Sequence, residues 1–193
     1  MRIITLFIIM SLISSCSKTD QTAQKEDSIK QEYLQKGAEI AKITQIELLK
    51  NVSLAMKKGG PGYAVEFCNL RALSLKDSLS RLHDCQIRRI ALKYRNPADM
   101  PRTESEKEQL HQYQDAYQKG DTLKPAVHLF DDRIDYYKPI MISKEACLKC
   151  HGDPGTDIAE QTLVTIKEKY PEDLATGFAM NDFRGAWHIT FNR

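Results

Sequence analysis

The sequence predicts an α+β fold, and three observations support this prediction. The first half of the chain has apolar residues at three- and four-residue steps, which is the period of amphipathic helices. The second half has short runs in which apolar and polar residues alternate, as in half-buried strands. Helices therefore come first and short antiparallel strands come later. We expect an antiparallel sheet flanked by helices, with a long N-terminal helix.

Two helices are predicted ahead of the first strand. Residues 25–58 form the first, which Gly59-Gly60-Pro61-Gly62 ends. Residues 63–82 form the second, with Cys68 on its apolar face. The first helix could project from the body, form a dimer face or pack on the core, and its sequence leaves all three open.

The remaining elements alternate between strands and short helices. Residues 86–94 predict a strand that Asn96-Pro97 breaks. Residues 103–119 predict a polar helix, with Thr103 and Glu106 as a capping box. The other predicted elements are strands at 126–130 and 134–142, a short helix at 161–170 and a terminal strand at 185–191.

The N-terminus predicts export. Residues 1–15 have one positive charge, Arg2, followed by an apolar run that is too short to span a bilayer. The run ends in Ser14-Ser15-Cys16, which resembles a bacterial lipobox and predicts lipidation of Cys16. The alternative is an ordinary signal peptide. We expect a flexible tether at residues 16–26 and a folded domain at 27–193, held by the lipid alone on the periplasmic side of the cell envelope.

Composition excludes some function classes. The chain has 193 residues, 41% of them hydrophobic, which is ordinary for a globular domain. Its formal net charge of +2 gives no field that would favour nucleic acid or a membrane surface.

The central motif is Cys147-Leu148-Lys149-Cys150-His151, or C-x-x-C-H. In an exported protein this spacing predicts a c-type haem: the two thiols add to the vinyl groups and the imidazole of His151 binds the iron. One alternative is a redox disulfide. Another is half of a zinc site, for which no second pair of suitable spacing exists.

Two further cysteines and a run of basic residues bear on this prediction. Cys68 and Cys85 could form a disulfide, which export permits, or one of them could bind iron. Arg88, Arg89 and Arg95 would suit the haem propionates. The alternative is a solvated basic strand.

Seven segments resemble one family. In chain order they are Ala64-Val65-Glu66-Phe67-Cys68, Arg88-Arg89-Ile90, Lys93-Tyr94-Arg95-Asn96-Pro97, Tyr137-Lys138-Pro139-Ile140, Cys147–Gly152, Tyr170-Pro171-Glu172-Asp173 with Ala175 and Gly177, and Asp182-Phe183-Arg184-Gly185-Ala186. Together they resemble the single-haem c-type domain of bacterial and cyanobacterial sensors, long described as a domain of unknown function.

The resemblance implies a PAS-like sheet and an iron bound by His151 on one side and the Cys68 thiolate on the other. It also makes Tyr137 a candidate haem contact and leaves Cys85 as a spare thiol. The rival distal ligands are Met141, Met180, His128 and His188.

Two functions are consistent with these features. The first is a haem-based redox or gas sensor, whose thiolate–iron bond nitric oxide or carbon monoxide could displace. The second is an electron-transfer cytochrome that serves a periplasmic redox partner. We favour sensing because a thiolate ligand should give a low potential. Two protein ligands on the iron argue against peroxidase-like catalysis, so we do not expect an enzyme.

Overall fold

The structure is a computed structural model that describes the backbone of residues 17–193 and the side chains of residues 21–68 and 77–193. It confirms the α+β fold. Residues 1–15, the predicted signal peptide, and Cys16, the predicted lipidation site, lie outside the described residues. None of the helices in the described part is long and apolar enough to cross a membrane.

The elements follow one another in the predicted order. They are helix α1 (Ser17–His83), strand β1 (Gln86–Ile90), a 3-10 turn (Pro97–Asp99), helix α2 (Glu104–Gln118), strands β2 (Ala126–Leu129) and β3 (Arg133–Met141), helices α3 (Glu145–His151) and α4 (Glu160–Lys169), and strand β4 (Phe183–Asn192). The predicted capping box is present at the start of α2, where the Thr103 hydroxyl accepts from the Glu106 amide at 3.2 Å.

Helix α1 consists of two arms, residues 17–58 and 61–83, that meet at a kink. Gly59 and Gly60 have non-helical backbone angles, and Gly60 has φ 73° and ψ −169°. This region is essentially restricted to glycine. Pro61 then starts the second arm, where its missing N–H costs no helical hydrogen bond. The predicted glycine stop is therefore a change of direction between two helices.

The first arm begins earlier than the sequence predicted. Residues 17–26, expected to form a flexible tether, are its first turns. The stretch has no apolar pattern, but its glutamine, lysine, alanine and glutamate residues favour helix and extend one that is already nucleated downstream.

The four strands form one antiparallel sheet in the order β1-β4-β3-β2. Helix α1 covers one face, which we call the α1 face. Its core contains Ile40, Ala41, Ile87, Tyr136, Trp187 and Ile189. Helix α2 covers the other, the α2 face, whose core contains Ile90, Leu110, Tyr113, Tyr137, Phe183 and Ala186.

The register of the strands decides which side chains share a face. Arg88 pairs with His188, which in turn pairs with Tyr137, and this row lies on the α2 face. Arg89 pairs with Trp187 in the next row, and therefore lies on the α1 face. Successive residues of a strand point to opposite faces, so a single step in β1 separates two neighbouring arginines.

A bulge interrupts β4 near its start. Ile140 pairs with Gly185 and Met141 with Phe183, so Arg184 is an extra residue without a partner in β3. Gly185 has φ 151°, and a Cβ there would lie 2.5 Å from the carbonyl oxygen of Ile90. Glycine therefore permits the bulge, which turns the Arg184 side chain out of the regular alternation.

Candidate cofactor site

A cavity of about 220 Å³ lies between α1, the sheet and α3. Both arms of α1 contribute apolar side chains to its wall, namely Leu48, Leu49, Val52, Met56, Ala64 and Val65. Its polar and sulfur-bearing lining residues include Cys68, Arg89, Arg95, Cys147, Cys150, His151 and Arg184. The chain thus brings residues from well-separated segments to one pocket.

Helix α3 carries the C-x-x-C-H motif into this wall. Cys147 and Cys150 are half-buried free thiols that both line the cavity. Cys147 packs against the cluster of Ile142 and Phe178, and Cys150 against that of Val65. Burial raises the pKa of Cys150 to about 11, so it is a neutral thiol at pH 7.

The imidazole of His151 is held in one orientation. Its Nδ1 lies 2.8 Å from the carbonyl oxygen of Ala175. Because a carbonyl only accepts, Nδ1 carries the proton and the neutral ring has its lone pair on Nε2. Burial, with the charges of Arg184 and Arg95, holds the pKa of His151 well below its usual value. The side chain is therefore a neutral imidazole with a free lone pair.

The loop after α4 forms backbone hydrogen bonds to His151 and to the residue that follows it. The amide of Gly177 donates to the Gly152 carbonyl at 2.8 Å, and that of Phe178 donates to the His151 carbonyl at 2.9 Å. The Phe178 ring also meets the His151 ring edge-on, with centroids 6.3 Å apart. These contacts fix the end of α3 against the loop.

Arg95 links three segments of the site. Its Nε donates to Asp173 at 3.0 Å, and its Nη2 donates to the carbonyls of Cys150 at 2.6 Å and Ala175 at 3.1 Å. The side chain is only 7% exposed. Arg95 therefore joins the segment after β1, helix α3 and the loop after α4.

Cys68 comes to the cavity from the second arm of α1. It is a half-buried free thiol, and burial raises its pKa, an effect that Arg89 and Arg95 oppose. The two thiols are near enough for a negative charge on Cys68 to raise the pKa of Cys150. Cys85 is a free thiol outside this lining, packed against the core of the α1 face. The two residues are not joined in a disulfide.

The predicted arginines divide between two environments. Arg89 lines the cavity and is paired with Asp99, with its Nη2 2.7 Å from Oδ2. Arg95 lines it as well. Arg88 does not: it forms an ion pair with the buried Glu106 and donates to the Met100 carbonyl at 2.9 Å. Strand alternation puts it on the α2 face, away from the expected propionate contact.

Tyr137 also lies away from the cavity. It is fully buried on the α2 face, stacked on His188 with centroids 4.5 Å apart. Both rings share the row that contains Arg88. The strand register therefore places Tyr137, the haem contact that the resemblance suggested, on the face of the sheet opposite the cavity.

The rival iron ligands are placed by the same register. His188 lies on the α2 face, and His128 lies there too, 5.3 Å from the Tyr137 ring. Met180 is 38% exposed and is not part of the lining. Met141 is the one of these four among the lining residues, although its side chain packs against the core of the α2 face.

Sequence reasoning missed Arg184, which lines the cavity and is 6% exposed. One signal was available, because Gly185 stands inside a predicted strand and such a glycine often marks a bulge. The described side chains contain no group of three or more His, Cys, Asp or Glu that could hold a metal ion.

Comparison with known proteins places the chain in a family. A solved structure, that of the cyanobacterial heme-protein Tll0287, aligns with a TM-score of 0.64 and 25% sequence identity, over 84% of this chain and 96% of that chain. No curated protein matches. The family model described as Tll0287-like matches residues 13–192, nearly the whole sequence. The chain therefore belongs to the Tll0287-like family.

Proposed function

We propose that this chain is an exported, lipid-anchored protein that carries one covalently attached c-type haem and acts as a haem-based redox or gas sensor. The observation that carries the proposal is the convergence of two free thiols and a neutral imidazole on one cavity. The likeness to a cyanobacterial heme-protein supports the haem assignment. The PAS-like architecture implied by the sequence resemblance is part of the same proposal.

The residues present fit this cofactor. Cys147 and Cys150 would form the two thioether bonds, and both are unpaired. His151 would bind the iron through Nε2, since its Nδ1 is committed to Ala175. Apolar side chains from both arms of α1 would cover the porphyrin faces. Haem supplies an iron centre that changes oxidation state and accepts a small gas ligand.

Cys68 is the proposed second axial ligand. It shares the cavity with His151 and comes from a different helix, so both side chains could hold the iron from separate elements. Arg89 and Arg95 favour its thiolate form. Because Cys68 lies on the second arm, beyond the kink at Gly60, binding or release of its sulfur would act on that arm. This coupling favours sensing, with nitric oxide or carbon monoxide as candidate ligands and a periplasmic signalling or redox protein as partner.

Electron transfer is the alternative function, and Met141 is the observation that favours it. Met141 is a lining residue of the cavity, and a methionine ligand would raise the potential to the range of electron-transfer cytochromes. In either role the chain is proposed to bind and respond rather than to act as an enzyme.

The test is the purified chain expressed in a host that matures c-type haem. We expect the pigment to stay on the polypeptide through acid–acetone extraction, and to be lost from a Cys147→Ala/Cys150→Ala variant. Absorption spectra of the oxidised and reduced protein, with and without carbon monoxide, separate the two functions. Freely extractable pigment would contradict covalent attachment, and a methionine-type spectrum would favour electron transfer.

A further inference from the structure

Arg184 is a buried cation with an unused donor. Its Nη1 donates to the Lys93 carbonyl at 2.8 Å. Its Nε is buried and has no hydrogen-bond partner among the described residues. A buried donor without a partner is costly, so such an atom points to a group that the chain itself does not supply.

The negative charges nearest Arg184, those of Asp99 and Asp173, are already engaged by other arginines. Arg89 and Arg95 stand near it on the same wall, but they are paired with Asp99 and Asp173. Within the described part of the chain Arg184 forms no ion pair. Burial and the two neighbouring guanidinium groups lower its pKa to about 9. Of the three buried guanidinium groups on this wall, Arg184 is therefore the one without a carboxylate partner among the described residues.

A second donor on the same cavity is also unused. Trp187 lines the cavity three residues along β4, and its Nε1 is buried without a partner among the residues described. The indole N–H only donates. The Arg184 Nε–H and the Trp187 Nε1–H therefore both need a hydrogen-bond acceptor. For the charged guanidinium the strongest acceptor is an anion.

We propose that Arg184 holds a carboxylate of the molecule that occupies the cavity, through a charge-assisted hydrogen bond from Nε. This inference rests on the proposed function, under which the carboxylate is a haem propionate. The bulge at Arg184 is then a positioning device, because it delivers to the cavity a side chain that regular alternation would place on the other face.

The direct test observes the Nε atom in the intact haem protein. In ¹⁵N NMR we expect the Nε–H signal of Arg184, assigned by its loss in Arg184→Lys, to be shifted and protected from solvent exchange. This measurement is made on the wild-type fold, in the reduced haem protein, and the deciding signal is a nuclear Overhauser contact between this Nε–H and the propionate methylene protons, because burial alone already slows exchange. An Arg184 Nε–H without that contact would overturn the inference.

A second test uses the midpoint potential as a function of pH. A propionate held by Arg184 stays ionised, so the wild-type potential should be nearly flat between about pH 5 and 8. In Arg184→Gln the freed propionate gains protons as the pH falls, which raises the potential. Resonance Raman propionate bending bands should shift as well. Lys144→Gln is the matched control, since it removes a positive charge from an exposed side chain of the same cavity lining.

The possible results distinguish a failure of the Arg184 assignment from a failure of the proposed function. Covalent haem with unchanged Raman bands and a flat potential in Arg184→Gln leaves the proposed function standing and overturns the assignment of Arg184. If Lys144→Gln and Arg184→Gln changed the potential equally, the effect would come from the loss of any positive charge near the haem, and the assignment of Arg184 would also be overturned. A protein without haem would refute the proposed function itself.

Discussion

His151 and Arg95 donate to the same acceptor, the carbonyl oxygen of Ala175, at 2.8 Å and 3.1 Å. The same guanidinium also donates to the carbonyl of Cys150 and forms an ion pair with Asp173. One buried arginine thus fixes both the backbone that carries the haem motif and the carbonyl that orients its histidine.

We predict that Arg95→Met lowers the free energy of unfolding by about 3–5 kcal/mol, because it leaves Asp173 buried without its partner. The double variant Arg95→Met/Asp173→Asn should lose less, since no uncompensated charge remains. Denaturant titration of the haem protein measures both. The exposed Arg81→Met is the control, with a change within about 0.5 kcal/mol. Equal losses in Arg95→Met and Arg81→Met would refute the bridging role.

Replacement of Cys68 tests the distal ligand. We predict that Cys68→Ala removes the thiolate character of the oxidised spectrum and lets exogenous imidazole or carbon monoxide bind readily, because the sixth position becomes open. Cys85→Ala should leave the spectrum unchanged, as this thiol packs outside the cavity. If Cys68→Ala keeps the wild-type spectrum, Met141 becomes the candidate, and Met141→Leu should then alter it.

The α2 face contains a histidine held between two carboxylates. His188 Nδ1 lies 2.8 Å from Glu106 Oε1, and its Nε2 lies 3.3 Å from Asp135 Oδ1. Burial alone would lower the pKa of His188, but the hydrogen bonds and charges of the two carboxylates outweigh it and raise the pKa above 6.5. Although burial opposes it, the His188 contact lowers the pKa of Glu106 below 4.5 and that of Asp135 below 3.8.

These shifts define a pH window of maximal stability. The contribution of His188 is complete below about pH 6.5 and is lost as the pH rises through its raised pKa. The contribution of the carboxylates is complete above their ordinary values and is lost as the pH falls through their lowered ones. We predict that the stability difference between wild type and His188→Gln shrinks from pH 6 to pH 9. A difference that stays constant over this range would show that His188 is neutral in the fold.

The kink in α1 predicts that alanine substitutions at two nearby glycines change the free energy of unfolding in opposite directions. Gly60→Ala should lower the free energy of unfolding by about 1–3 kcal/mol, because an L-residue is strained at its backbone angles and no side chain stands nearby. Gly62→Ala should instead raise it by about 0.5–1 kcal/mol, since Gly62 is helical and a Cβ there would meet only the Thr165 hydroxyl at 3.4 Å. Thermal unfolding of both variants measures these changes. A loss of stability of the same size in each would contradict the backbone geometry of the kink.

The sequence by itself determined the α+β fold, the order of the elements and their approximate ends. Local chemistry sets these features: the Thr103 capping box starts α2, and the glycines after Lys58 end the first arm. The C-x-x-C-H motif was equally visible, because its five residues are contiguous.

Only the tertiary structure decided which other residues meet that motif. Alternation along β1 was clear, but its phase was not, so Arg88 and Arg89 could not be assigned to a face until α1 and α2 packed on the sheet. The bulge that brings Arg184 to the cavity depends on pairing with β3, and Cys68 reaches the cavity because the kink redirects its helix. Period and propensity are properties of neighbouring residues, whereas the phase of a strand and the angle between helices follow from what each element buries against another.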